Sequence, residues 1–313
     1  MYLVSIIVPN FNHSIYLEKR LNSIFSQDFI NYELIILDDA SSDDSDIVIK
    51  KLIENKSNIT YIRNDTNSGS TFKQWNKGIS IAKGKYIWIA ESDDYAENNF
   101  LSVLTSYLEE NSQVSLIYCQ SHLVSEGTIT NNILNWTNDL SKDLWLKDFC
   151  LVGKDAVLHY WIHKNILINA SSALFKKNVY LEYVEGNENF KLCGDWYTWI
   201  SMMRDHNLMF CSQSLNFYRR HDNTVTHSLG RKILVKKEIQ DIHLMCLKHF
   251  CSSKKDFEVL EGAFYNNWKS YISFYGKKKY LSQYIKSLSF FKFPKKTWLI
   301  KFTMKITKEK LNG

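Results

Sequence analysis

Four short runs of apolar or β-branched residues recur at fairly even intervals along the first third of the chain: Val4–Val8, Glu33–Leu37, Ile59–Ile62 and Tyr86–Ala90. Each is too short for a helix and reads as a buried strand. Between them the apolar positions switch to helical period. Leu17, Leu21, Ile24 and Phe25 share one face, Val48 and Leu52 another, and Phe72, Trp75, Ile79 and Ala82 a third. This alternation predicts an α/β domain with a Rossmann-like, mainly parallel sheet flanked by helices. Ligands of such sheets bind beyond the carboxyl ends of the strands. Polar residues follow every one of the four runs: Asn10-Phe11-Asn12, Asp38-Asp39, Asn64-Asp65 and Glu91-Ser92-Asp93-Asp94.

Further along, Phe100, Leu104 and Leu108 predict a helix and Val114–Tyr118 a strand, after which residues near 125 to 150 lose periodicity and read as a long loop. A second cluster follows, with Ile166–Ile168, Ser172–Phe175, a helix from about Trp196 to His206, and Leu215–Tyr218. From about Gly230 the pattern is helical and basic. The expected organisation is an α/β domain over residues 1–228 and a helical C-terminal region over 229–313.

Composition narrows the class. Hydrophobic residues make up 45% and charged residues 23%, which excludes disorder, collagen and coiled coil. The six cysteines contain no C-x-x-C pair and the start reads directly into a strand, so a cytoplasmic chain with free thiols and no structural zinc is expected. The net charge of +6 owes much to lysines between Lys277 and Lys310. No apolar stretch is long enough to span a bilayer. Residues 290–302 mix lysines with aromatics, the composition of a segment drawn to an anionic membrane surface; a helix docked on the domain with solvated lysines is the alternative. No motif points to nucleic acid.

The chemistry concentrates after the strands. Glu91, Asp93 and Asp94 crowd three carboxylates into one turn, and hard oxygen ligands of this kind suit Mg²⁺ or Mn²⁺. On the residues alone, acids capping the next helix are an equally open reading. Asp39 stands where a carboxylate can accept from a nucleobase, whereas Asp43, Asp44 and Asp46 read as helix-start residues. Asn67-Ser68-Gly69-Ser70 offers either a phosphate or base contact or a plain turn. Neither G-x-G-x-x-G nor G-x-x-x-x-G-K-[ST] occurs, so phosphate needs another partner.

Together these segments resemble the family 2 inverting, non-processive nucleotide-sugar glycosyltransferases of the GT-A fold. The matching stretches are Val4–Asn12, Leu37–Asp43, Asn67–Gly69, Asn76–Gly78, Ala82–Tyr86 and Glu91–Asp94, in the family's order and spacing. The resemblance implies that Pro9, Asn10, Phe11, Asn12, Asp39, Asn67 and Gly69 bind the nucleotide together with Asp93. It also implies that Asp93, with Asp94 and Glu91, holds Mn²⁺ or Mg²⁺. Cys193-Gly194-Asp195-Trp196 resembles the segment carrying the catalytic base, which makes Asp195 the base; a helix cap is the plain alternative. Tyr218-Arg219-Arg220-His221 resembles the closing segment, with Arg219 and Arg220 on the diphosphate and His221 at the metal.

Two departures stand out: Glu91 where the family more often has aspartate, and Gly194 where it often has an acidic residue. The expected activity is transfer of one sugar from a nucleotide-diphosphate donor, with UDP as carrier, to a hydroxyl of a glycan or lipid-linked glycan in bacterial cell-surface synthesis. A nucleotidyltransferase is a rival, but Pro9–His13 is not the glycine-rich basic loop it needs. A binding protein that keeps the fold without activity is the other.

Overall fold

The computed structural model describes residues 2–125, 127–133, 136–220 and 229–275. His221 and the lysine-rich stretch after Tyr275 lie outside the described residues. Residues Met1–Tyr265 form one compact unit and Asn266–Gly313 a second, of which the end of a helix is described.

The first part alternates as the pattern predicts: β1 (Val4–Asn10), α1 (Ser14–Phe25), β2 (Tyr32–Asp38), α2 (Ser45–Ile53), β3 (Ile59–Arg63), α3 (Thr71–Ile81) and β4 (Tyr86–Ile89). Every residue of β1 is buried, because β2 and β4 pair with it in parallel on either side. A strand covered on both faces carries a continuous apolar run instead of an alternation. Successive side chains still divide by parity. Ile7, Ile35, Leu37, Ile87 and Ile89 join one core with Phe72, Trp75 and Ile79 of α3. Ile6, Val8, Leu34, Ile36 and Trp88 join the other with Leu17, Leu21 and Ile24 of α1.

β5 (Tyr95–Ala96), α4 (Phe100–Glu110), β6 (Val114–Ser125), β7 (Thr128–Ile133), β8 (Phe149–Val152), α5 (Gly153–Ala156), β9 (Ala173–Lys176), α6 (Lys177–Tyr183), α7 (Gly194–Ser201), β10 (Asn207–Arg220), α8 (Leu229–Phe250) and α9 (Lys254–Tyr275) follow. The sheet order is β3-β2-β1-β4-β9-β6-β10-β5, with β7 beside β6 and β8 beside β10. Within this mixed sheet β9 runs antiparallel to both β4 and β6, while β6 and β10 are parallel to each other. β9 is thus a reversed strand between two parallel sets, and β5, β7 and β8 also pair antiparallel with their neighbours.

Three details differ from the periodicity. The stretch near 125 to 150 is not one loop: it contains β7, a 3₁₀ turn at Leu144–Leu146 and β8. Its anchors are single aromatics. Trp145 is 7% exposed and its Nε1–H donates to the Tyr118 hydroxyl at 2.7 Å, so burial comes one residue at a time and leaves no repeat. The helix expected to reach His206 stops at Ser201, and β10 is far longer than Leu215–Tyr218. Register shifts between Cys211 and Ser214 and between Ser214 and Asn216 break the two-residue alternation that would have announced it.

α3 lies directly on β1. A Cβ at Gly78 would sit 2.6 Å from Cγ2 of Ile7, which is why a glycine closes Asn76-Lys77-Gly78. Ile242, Met245, Cys246 and Phe250 of α8 enter the same core as Trp161 and Trp199. Glu238 of α8 accepts from the backbone N–H groups of Lys191, Leu192 and Cys193 at 2.7, 3.0 and 2.8 Å, fixing the entry to α7.

Candidate active site

At the carboxyl ends of β1 and β2, two adjacent aspartates have different surroundings. Asp38 is 0% exposed and accepts from Asn10 Nδ2 at 2.7 Å, from the Ser41 N–H at 3.1 Å and from Arg63 Nε at 3.2 Å. It knots the strand ends together and engages the Asn10 side chain inside the knot. Asn12 adds a stitch: its N–H donates to Ser41 Oγ at 2.9 Å and its Oδ1 accepts from the Ser42 N–H at 2.8 Å.

Asp39 instead organises the loop before α3. Its carboxylate accepts from Asn64 Nδ2 at 2.6 Å, the Ser68 N–H at 2.9 Å, Ser68 Oγ at 2.8 Å and Gln74 Nε2 at 2.9 Å. Asn67 donates through Nδ2 to the Asp39 carbonyl at 3.1 Å, and its Oδ1 accepts from the Gly69 N–H at 2.7 Å. Gly69 has φ +69°, a conformation glycine adopts without a Cβ penalty. Pro9 is buried and Phe11 is 45% exposed beside this edge. Hydrogen bonds thus join Asn10 and Asn12 in one knot and Asp39, Asn67 and Gly69 in another, on adjacent residues.

The acidic turn lies between β4 and β5. Glu91 accepts from Trp75 Nε1 at 2.9 Å. Burial, and secondarily the neighbouring Asp93, push its carboxyl up to about 8. Asp94 is 2% exposed; its Oδ2 accepts from Asn169 Nδ2 at 2.8 Å and its Oδ1 from the Arg219 N–H at 2.9 Å. Burial, then Asp93, raise it to about 6. Antiparallel pairing of Phe217 with Tyr95 carries β10 alongside this turn. Arg219 Nε then donates to the Asp93 carbonyl at 2.8 Å, with its guanidinium 4.8 Å from the Tyr16 ring. Arg220 is exposed, 5.8 Å from the Tyr218 ring.

Beneath the turn lies a cation absent from the expectations above. Arg20 is 0% exposed; Nε donates to the Glu91 carbonyl at 2.8 Å and Nη2 to Ser171 Oγ at 3.0 Å. Burial lowers its pKa to about 10, opposed by Asp94, Asp93 and Glu91. A signal was present in the sequence: Arg20 falls within the buried stripe Leu17, Arg20, Leu21, Ile24 of α1, where an unpartnered charge would be costly.

The donor set suits a divalent cation of limited kind. Glu91 accepts from Trp75, Asp94 accepts from Asn169 and Arg219, and Asp93 lies half-buried between them, so the turn gathers hard oxygen donors of the kind that suit such an ion. Among the described residues no three His, Cys, Asp or Glu gather as a cage. Mg²⁺ and Mn²⁺ commonly take one or two protein carboxylates, with water and substrate phosphates completing the shell.

Asp195 lies in the first turn of α7, half-buried, its Oδ2 accepting from Asn165 Nδ2 at 2.9 Å. Asn165 Oδ1 accepts from the Leu167 N–H at 3.2 Å and Trp161 Nε1 at 3.4 Å, which fixes which end of the amide faces Asp195. Burial raises the Asp195 carboxyl to about 6; the Trp196 N–H and Asn165 hold it from rising further. Such a group is ionised at neutral pH and basic enough to accept a proton.

The preceding Gly194 has a steric cause, because a Cβ there would lie 2.5 Å from Cε2 of Phe72. Gly194→Glu is expected to cost about 1–3 kcal/mol by overpacking, read as a lower urea midpoint; an unchanged midpoint would mean that Phe72 yields freely.

Residues 165–171 connect these groups. Asn165 holds Asp195, Asn169 holds Asp94, and Ser171 Oγ accepts from both Arg20 and the Glu91 N–H, the latter at 3.1 Å.

Comparison with known proteins agrees with this architecture. The pattern of the family described as Glycosyl transferase family 2 matches residues 5–165, more than half of the chain. The chain is 27% identical over 166 residues to the GalNAc(5)-diNAcBac-PP-undecaprenol beta-1,3-glucosyltransferase of Campylobacter jejuni, covering 53% of each, so it spans about half the length of that curated relative. The crystal structure of S. aureus TarS 1-349 in complex with UDP-GlcNAc superposes with a TM-score of 0.69 at 18% identity, over 91% of this chain and 79% of that one. The mannosyltransferase PcManGT from Pyrobaculum calidifontis, in complex with GDP-Man and Mn²⁺, gives a TM-score of 0.59 at 14% identity, over 96% and 83%. At these identities the structural likeness shows the fold, GT-A. On the extent of the sequence match, the chain belongs to glycosyl transferase family 2.

Proposed function

We propose that the chain transfers a single sugar from a nucleotide-diphosphate sugar, with UDP as the carrier, to an acceptor hydroxyl with inversion at the anomeric carbon. The observation that carries the reading is the bracket formed by residues 165–171, which ties a carboxylate of pKa about 6 to the acidic turn. Asp195 accepts the acceptor's hydroxyl proton as that oxygen attacks, and the bond from the anomeric carbon to the diphosphate breaks. Arg219 and Arg220 lie toward the departing charge, and the edge around Phe11, Asp39 and Asn67 takes the nucleoside. Asp93 would hold Mn²⁺ or Mg²⁺, which supplies positive charge to the leaving diphosphate.

Relatives such as the undecaprenol-linked glucosyltransferase support a bacterial lipid-linked or cell-surface glycan as the acceptor. No helix among the described residues is long and apolar enough to cross a membrane. The lysine and aromatic residues of 277–310 fit peripheral attachment at the inner face of an anionic membrane.

A thermal-shift panel of nucleoside diphosphates with and without Mn²⁺ tests the donor site, since a ligand of the native state raises its stability. UDP should raise the midpoint in the presence of Mn²⁺, and Asp93→Ala should remove the metal-dependent part. A panel in which no diphosphate shifts the wild type would favour the non-catalytic alternative.

A further inference from the structure

Trp136 stands apart from the other tryptophans whose burial is described. Those are at most 7% exposed, whereas Trp136 is 39% exposed. Its indole is nevertheless held in place. Nε1–H donates to the Asn165 carbonyl at 2.6 Å, and the Trp136 carbonyl accepts from the Lys164 ammonium at 2.6 Å. That ammonium lies 4.1 Å from the ring centroid and 2.8 Å from Asp139. An aromatic surface fixed before its ligand arrives loses little entropy on binding.

The indole borders a cleft whose lining also includes apolar Ile166 and Ile168 and polar Gln120, Ser121 and Asn169. The closed part holds about 30 Å³, room for a little water or one small substituent and not for a ring. A ring would therefore lie at the mouth, against the indole. Asn165 then joins this surface to the base, because the residue whose carbonyl pins the indole gives its side-chain amide to Asp195.

A pyranose offers a face of C–H groups that packs on the electron-rich face of an indole, and a rim of hydroxyls that needs donors and acceptors. An open-chain polyol or a lipid hydroxyl has no such face. We propose that Trp136 is the platform on which a pyranose of the acceptor stacks, so that the acceptor is a sugar and Trp136 selects it. The proposal rests on the reading of Asp195 as the base.

Saturation-transfer NMR on the full chain tests it, with methyl β-glucopyranoside, methyl N-acetyl-β-glucosaminide and ribitol as probes. The wild type should transfer saturation to the ring C–H protons of at least one pyranoside and not to ribitol. Trp136→Ala should lower the pyranoside signal about tenfold, the scale of an aromatic stacking contact, and Trp136→Phe should keep most of it. Phenylalanine retains a ring and lacks the N–H, so its behaviour separates stacking from support of Asn165. No pyranoside signal in the wild type, an unchanged signal in Trp136→Ala, or equal loss in both variants would overturn the proposal. UDP stabilisation measured on the same samples judges the donor site separately, whatever the pyranosides do.

Discussion

Asp195→Asn is expected to lower sugar transfer by about 10²- to 10⁴-fold in kcat, the usual contribution of a positioned general base, while stabilisation by UDP should survive. Asparagine keeps an oxygen to accept from Asn165, so the bracket stays closed and only the proton acceptor is lost. The pH dependence follows from the same carboxyl. In the free protein kcat/KM should fall as pH drops through about 6, where Asp195 becomes protonated. Asn165 stabilises the ionised form, so Asn165→Ala should raise the Asp195 pKa and move this acid limb to higher pH. Steady-state rates across a pH series read both effects. Near-normal turnover in Asp195→Asn would remove it as the base, and a limb that stays in place in Asn165→Ala would assign that limb to another group.

Arg20→Met is expected to cost about 3–5 kcal/mol, because it removes the buried partner of a carboxylate-rich turn. For a domain of this size that lowers the melting temperature by roughly 10 °C. Arg20→Lys should fall between, since a single ammonium cannot reproduce the fork to the Glu91 carbonyl and Ser171. Added Mn²⁺ should recover more of the loss in Arg20→Met than it adds to the wild type, because the external cation then supplies charge the internal one no longer does. Melting within a degree of the wild type would show that Glu91, Asp93 and Asp94 do not depend on Arg20.

The parallel half of the sheet was legible because its strands are short, apolar and separated by helices of regular period. The polar residues after β1, β2 and β4 were legible as well, since runs of buried apolar strand residues that end abruptly in Asp39 or Glu91 place carboxylates where packing alone has no use for them. The second half was harder to read. β10 contains register shifts, and the stretch before β8 is held by isolated aromatics such as Trp145. Residues that organise the site through others were hidden for a different reason. Asn165, Asn169 and Ser171 are small polar side chains, and their importance comes from partners such as Asp195 and Asp94, distant in sequence. The gap at Gly194 likewise needs Phe72 to be seen.

The stretch from Asn165 to Ser171 works as a ruler. Its marks at 165, 169 and 171 touch Asp195, Asp94 and the Arg20–Glu91 junction, so the span between Asp195 and the acidic turn is counted in residues along one piece of backbone. Surface loops tolerate added length at little thermodynamic cost, but here one inserted or deleted residue would shift one set of marks against the other. Both ends could then no longer be held at once, however well the rest of the sheet folds.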